Sequence, residues 1–356
     1  MEVSSGPPPL PRNIAELTAE RLSALLAYRY PGTEVNSLHF GTVLHGTATK
    51  VRLLLNYNEA GHSHRLPATM YAKCGFEVHS QNRHMVESAR SEVVFYLRRA
   101  PEGLVNVPKC YFGGQDKTTG TSFLLLEDLL ARNVTMGSAL HPIEPQIVRL
   151  GLEMLARYHA RWWNSPELEG LGSPIVADDW VGFILDQGNF ERSLHLPRFE
   201  YVPPEMRSRE RIRSALYRLW ESNTQGPCCI LHGDLHLGNC YFDVDGTPGF
   251  LDWQGDTRGC WAHDFTEFLL TTLEVDARRN HERPLLEFYL QQLGSHGVDA
   301  PSFENAWQQY RRNTLWVAYS SAVCPVAMQP EAVLTAYTRR GMAAATDLDA
   351  LASFES

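Results

Sequence analysis

Apolar residues near the start of the chain recur at helical spacing. Ile14, Leu17, Leu22, Leu25 and Leu26 fall within NIAELTAERLSALLAYRY, and Pro31 with Gly32 closes the run. This predicts a helix behind a loose proline-rich stretch from Pro7 to Pro11. From Asn36 the period shortens: HFGTVL, the tight turn HGTA and TKVRLLLNY read as strand, turn and strand. LPATMYAKCGF adds a strand after the polar break GHSHR. Val86, Ala89, Val93, Phe95, Tyr96 and Leu97 return to a helical stripe between His84 and Arg99, ended by Pro101 and Gly103. VPKCYFGG and TSFLLLEDL then predict two more strands around the polar turn QDKTTG.

Beyond Glu127 the pattern is mostly helical. IEPQIVRLGLEMLARYHARWW places Ile147, Leu150, Met154, Leu155 and Tyr158 near one face of a long helix. MRSRERIRSALYRLWES forms another, and one begins with Phe265, Phe268 and Leu269. PLLEFYLQQL, SFENAWQQYRRNTLWVAYSSAV and PEAVLTAYTRRGMAAATDLDAL supply three more. Between them, CCILHGDLHLGNCYFDVDGTPGFLDWQ breaks short apolar pieces with Gly, Asp and His, as β-hairpins carrying polar loops do. The expected architecture is α+β, with a small antiparallel-sheet lobe over residues 1–127 and a larger, mostly helical lobe over 128–356. No fixed-period repeat suggests a solenoid.

Composition narrows the classes. The 356 residues are 44% hydrophobic and 21% charged, a balance that fills a large core and does not describe a disordered chain. A net charge of −9 lacks the broad positive field that nucleic-acid backbones need, so no nucleic-acid partner is expected. The seven cysteines show no paired C-x2-C spacing of a zinc site, and reduced thiols in a cytoplasmic chain are the simplest account. MEVSSGPPPLPRNIA has no basic end followed by an apolar run, and no apolar stretch approaches 18 residues, so neither secretion nor a membrane span is expected.

Candidate chemistry is concentrated in ILHGDLHLGN. Asp234 and Asn239 lie five apart, and Gly233 and Gly238 permit the sharp path that brings both side chains to one site. Thirteen residues later, Asp252 ends the apolar piece Gly249-Phe250-Leu251. Oxygen-bearing side chains on successive loops suit Mg²⁺, which binds oxygen ligands and phosphate together. A further carboxylate nearby would orient a hydroxyl.

This pair of motifs resembles the aminoglycoside phosphotransferase and choline kinase branch of the protein-kinase-like superfamily, nearest to its ecdysteroid-kinase-like members. The resemblance covers residues 35 to 345 or so and implies a bilobal protein-kinase-like fold, with nucleotide bound by the small lobe and acceptor by the large one. It implies Asp234 as the catalytic aspartate, Asn239 as the first metal ligand and Asp252 as the principal one. Lys73, ending a strand, matches the phosphate-contacting lysine, and Glu92 before an aromatic pair matches its partner, with Glu87 a rival. Gly46 and Thr47, with Thr49, fall in a hairpin similar to the one that covers the nucleotide. Glu127 and Leu129, with Leu126, resemble the linker that meets adenine. Asp264 is expected to be structural, as a helix cap or a brace for the catalytic loop.

The implied activity is transfer of the γ-phosphoryl group of ATP, with Mg²⁺, to a hydroxyl of a small molecule. The alternative is a nucleotide-binding pseudokinase or scaffold without turnover. A P-loop is absent, and Asp252 precedes Trp253-Gln254 rather than the Phe-Gly of protein kinases. The acceptor is open between aminoglycosides, choline or ethanolamine, steroids and other alcohols. His232 is expected to hold the catalytic loop, whereas His236 is divided between a structural role and a place near phosphate or substrate. His159 and most of the aromatic residues Trp162, Trp163, Trp307, Tyr310, Trp316 and Tyr319 read as core. Asp243, Asp245 and Gly246 form a hairpin turn, and Arg278 and Arg279 near Arg283 form a solvated helix face.

Overall fold

A computed structural model of the chain describes residues 8–46, 48–77, 80, 82–170, 181–186 and 188–354. The chain divides into two compact units, one reaching residue 103 and resuming at 107–134, the other formed by 104–106 and everything from 135 onward.

The first unit is built on a five-stranded antiparallel sheet of order β1-β2-β3-β5-β4. Its strands are β1 (Val35–Leu44), β2 (Thr49–Tyr57), β3 (Thr69–Cys74), β4 (Cys110–Gln115) and β5 (Ser122–Glu127). Alternation along β3 sends Met70, Ala72 and Cys74 to the core shared with Leu22, Leu25 and Leu26 of helix α1 (Ala19–Arg29). Lys73 therefore points to the opposite face. The helix predicted from Asn13 is two pieces, because Thr18 caps α1 by accepting from the Arg21 amide, leaving a separate 3-10 turn at Ile14–Glu16. The polar break before β3 contains a one-turn helix, α2 (Glu59–Ser63), capped by Asn58. Helix α3 (Arg83–Val94) is capped by Asn82 and widens into a π turn at Phe95–Arg99.

Residues 128–134 stay with this sheet for a physical reason. Asp128 is buried and pairs with Arg52 of β2 at 2.8 Å, and Arg132 pairs with Glu127 at 3.1 Å. Residues 104–106 join the second unit because Asn106 completes a hairpin there. Its side chain donates to Asp243 (2.9 Å) and accepts from the Tyr241 hydroxyl (3.0 Å), while its carbonyl accepts from the Phe250 amide.

The second unit is mostly helical: α4 (Pro145–Trp162), the single-turn α5 (Asn189–Ser193), α6 (Arg209–Gln225), α7 (Ala262–Thr272), α8 (Val275–Ser295), α9 (Phe303–Val323) and α10 (Glu331–Asp347). Every residue of α7 is buried, which makes it the central helix. Two short sheets carry the polar loops: β6-β8-β9 (Thr135–Met136, Cys240–Phe242, Pro248–Phe250), and the pair β7 (Cys228–Leu231) with β10 (Thr257–Cys260). The predicted turn at Asp243 to Gly246 joins β8 to β9, with Gly246 at φ 85°. Trp162, Tyr310, Trp316 and Tyr319 are core residues, as is His159.

Two expectations are corrected. Helix α8 does not begin at Pro284 but runs through it from Val275. Proline removes its own amide donor and crowds the carbonyl one turn back, but the turns before it carry the side-chain pairs Arg278–Glu282 and Arg279–Asp276. Nor is Arg278 solvated: it is buried, paired with Glu282 at 2.9 Å and with Asp347. All seven cysteines are unpaired thiols. No described helix is long and apolar enough to cross a membrane.

Candidate active site

The HGD-x4-N segment leaves β7 as a loop whose main-chain amides are caught, one after another, by side chains of two distant helices. From α7, Asp264 accepts from the His232 amide (2.6 Å) and the Gly233 amide (2.9 Å), Glu267 from Leu235 (2.8 Å) and Thr271 from Leu237 (3.1 Å). These three residues follow an i, i+3, i+7 spacing, one face of the helix. From α10, the Tyr337 hydroxyl accepts from the Gly238 amide (3.1 Å). Most of the loop is buried and it has no strand ladder of its own, so its donors need such partners. Asp264 lies inside the first turn of α7, which settles its expected structural role as a brace rather than a cap.

A second loop is stitched to the first. His232 Nε2 meets the Leu251 carbonyl at 2.7 Å, and the Leu251 amide donates to the Asn239 carbonyl at 2.8 Å. Gly233 has φ 79°, and a Cβ there would lie 2.2 Å from the Gly255 carbonyl oxygen, so only glycine lets the two backbones touch. Asp252 follows Leu251 in the left-handed region, at φ 59° and ψ 61°, and opens the turn Trp253–Gly255.

Asp234 is the exposed member of this set, with 55% of its side chain accessible. Asn239, nearly buried, donates through Nδ2 to the Asp234 carbonyl (2.8 Å) and to its carboxylate Oδ2 (3.2 Å). The other carboxylate oxygen, Oδ1, faces His236 Nε2 at 3.9 Å.

The buried titratable groups that support the loop shift in both directions. Burial lowers the pKa of His232 against the opposing pull of Asp264, Asp234 and Asp252. Burial likewise lowers that of His263, whose ring meets the Gly233 carbonyl. Burial would raise Asp264, but His159 at 3.3 Å, with His263 and His232, holds its carboxyl below the usual range. Glu267 moves the other way: burial first, then the charges of Asp234 and Asp264, push it well above a normal carboxylic acid.

In the first unit, Lys73 Nζ lies 2.8 Å from Glu92 Oε1 and 2.6 Å from Oε2, with both side chains buried. Glu87, the rival partner, instead pairs with Arg83 on the surface. Glu127 is engaged by the Lys109 amide and Arg132, and Leu129 is buried. In the β1–β2 turn a side chain at Gly46 would make only ordinary contact, with the Ala48 carbonyl oxygen 3.7 Å away. Thr47 lies outside the described residues. Thr49 is buried and directs its hydroxyl to Glu77, which also takes His45.

Asn239 and Asp252 are the hard oxygen donors here that could hold a divalent cation. With Nδ2 committed to Asp234, the amide of Asn239 turns its oxygen elsewhere, and the main-chain bond between Leu251 and Asn239 keeps the Asp252 loop adjacent. Among the described residues no group of three or more His, Cys, Asp and Glu side chains forms a complete metal cage. Two protein ligands completed by phosphate and water is the usual arrangement for Mg²⁺.

The amide anchors Glu267, Thr271 and Tyr337 escaped the sequence reading. The signal was present: Asp264, Glu267 and Thr271 stand at helical spacing beside the apolar residues Phe265, Phe268, Leu269 and Leu270.

Residues 78–309 match the model of the phosphotransferase enzyme family (APH). That range contains Asp234, Asn239 and Asp252 and begins after Lys73. No curated protein matches the chain. Among solved structures, a proposed aminoglycoside phosphotransferase from Ralstonia eutropha JMP134 superposes with a TM-score of 0.57 at 15% identity, covering 93% of this chain and 97% of that one. A spectinomycin phosphotransferase in complex with ADP and spectinomycin gives 0.53 at 11% identity, over 94% and 99% of the two chains. The ethanolamine kinase of Plasmodium vivax gives 0.51 at 11%, over 88% and 82%. At these identities the likeness is one of fold, and the fold is protein-kinase-like.

Proposed function

Because the chain belongs to the phosphotransferase enzyme family, we propose that it transfers the γ-phosphoryl group of ATP to a hydroxyl of a small molecule. The observation that carries this reading is Asp234: an accessible carboxylate, gripped on one oxygen by Asn239, in a loop whose amides are fastened to α7 and α10. Rigid placement is what phosphoryl transfer asks of a protein, since the reaction needs in-line oxygens and charge stabilisation more than covalent help. Asp234 would accept a hydrogen bond, then the proton, from the attacking hydroxyl. Asn239 and Asp252 would hold Mg²⁺, which when bound offsets the charge of the nucleotide phosphates. Lys73, kept in position by Glu92, would contact the α- and β-phosphates. The first unit is then assigned to nucleotide binding and the second to catalysis and acceptor binding.

A pseudokinase would not need this set, and Asp234, Asn239, Asp252 and the formed Lys73–Glu92 pair favour turnover. The acceptor is assigned only as an alcohol; nearness to ecdysteroid-kinase-like members stays an expectation. The test is ATP consumption over a chemically broad alcohol library with mass detection of a phosphorylated product. One phosphorylated alcohol is expected; no ATP binding and no ATP consumption under any condition overturns the reading.

A further inference from the structure

We infer that His236 is a second catalytic residue of this site, donating a hydrogen bond from Nε2 to the oxygen of the acceptor hydroxyl while Asp234 receives its proton. This rests on the phosphotransferase reading and adds a residue to it.

The ring of His236 is held by two neighbours. The Tyr337 ring packs against it at 5.7 Å between centroids, and a Cβ at Gly238 would stand 2.9 Å from His236 Cε1. Gly238 is therefore a glycine because the imidazole occupies the space of its side chain. Tyr337 also takes the Gly238 amide, so one α10 residue sets both the loop and the ring. Among the described residues His236 Nδ1 is buried without a hydrogen-bond partner, whereas Nε2 faces the Asp234 carboxylate at 3.9 Å and the Gln329 amide at 3.4 Å.

This fixes where the neutral ring carries its proton. A proton on Nδ1 would be a buried donor with no acceptor beside it, a state that folded chains rarely keep. A proton on Nε2 requires only that the Gln329 amide present its oxygen, a half-turn that exchanges two nearly isosteric groups. The donor therefore points toward Asp234.

The gap between Nε2 and Oδ1 is too long for a direct hydrogen bond and suited to one inserted oxygen. A hydroxyl oxygen at about 2.8 Å from each atom closes the triangle. Its hydrogen then points to Asp234 Oδ1, one lone pair accepts from His236, and the other faces the γ-phosphorus. As the new O–P bond forms, the bond from the γ-phosphorus to the bridging oxygen breaks, ADP leaves with that electron pair, and Asp234 holds the proton. A protonated amine has no lone pair for His236 and is refused, which makes the pair selective for alcohols.

Two measurements test this. Long-range nitrogen–proton NMR of the ¹⁵N-histidine-labelled chain at mildly alkaline pH should show His236 as the Nε2–H tautomer; the Nδ1–H tautomer overturns the inference. Turnover is then followed with MgATP and a panel of ethanolamine, spectinomycin, glycerol and a sterol. His236→Asn should lower kcat by about 10²-fold with KM for MgATP within twofold, and His236→Gln, whose amide nitrogen reaches the Nε2 position, should recover most of the loss. Equal losses in both variants, or none in His236→Asn, overturn the inference alone. A wild-type chain that neither binds nor consumes MgATP overturns the phosphotransferase reading, and the inference with it.

Discussion

Asn239 Nδ2 donates at once to the main-chain carbonyl and to the carboxylate of Asp234, at 2.8 Å and 3.2 Å. The same side chain proposed to bind the cation also aims the proposed base. These duties make opposite demands on a substitution. Asn239→Asp improves the hard-ligand character yet removes the donor and sets a second carboxylate against Asp234. We expect kcat to fall by about 10²-fold or more across a full Mg²⁺ titration. Recovery to wild-type turnover at high Mg²⁺ would show that aiming Asp234 is not part of the role.

Asp234 itself is accessible, and its charge bears unfavourably on buried Glu267. Asp234→Asn should abolish acceptor phosphorylation, by about 10²- to 10⁴-fold, while leaving thermal stability unchanged or slightly raised. Product formation, nucleotide affinity and Tm are measured together. Wild-type turnover in this variant would remove the base from the mechanism.

Lys73 and Glu92 form a buried pair, so breaking it from either side strands a charge. Lys73→Ala is expected to weaken productive ATP binding and to cost about 3–5 kcal/mol of stability. Lys73→Met with Glu92→Leu should return much of the stability but none of the ATP response. Urea unfolding and ATP kinetics on the two variants separate the effects. Unchanged ATP kinetics in Lys73→Ala would exclude a phosphate contact.

The pH dependence follows from three buried groups around the loop. His232 and His263 have folded pKa values below their ordinary 6.5, so below that value the unfolded chain takes up protons that the folded one refuses. Stability should fall as pH drops through 6.5 and level off below the two folded values. Glu267 works in the other direction, because its folded pKa stands well above 4.5: its contribution is complete below 4.5 and is lost as pH rises toward the folded value. Glu267→Gln keeps an acceptor for the Leu235 amide and should flatten the loss on the alkaline side. Denaturation midpoints from pH 5 to 9 provide the check; an alkaline slope unchanged in Glu267→Gln would show that Glu267 is not its source.

The sequence disclosed the HGD-x4-N loop because its residues are contiguous. His232 to Asn239 lie in one stretch, Asp252 follows a short strand, and alternation set Lys73 apart from Met70 and Ala72. What holds that loop was not legible in the same way. Glu267, Thr271 and Tyr337 come from helices 32 to 99 residues away along the chain, and a polar residue inside a helical segment does not announce which amide it will meet. Pro284 misled for a related reason. Its cost to helix α8 is local, and the pairing of Arg278 with Glu282 and Asp347 that accompanies the upstream turns depends on another helix. The choice of Glu92 over Glu87 likewise needed the third dimension, since five residues along α3 turn one side chain inward and leave the other in water.

Leu231 and Thr257 are partners in the β7–β10 ribbon and Cys240 and Phe250 are partners in β8–β9, so each polar loop is strung between the same two ribbons. The two loops are thereby registered against each other at both ends, and an insertion or deletion in either has to be absorbed by its neighbour as well.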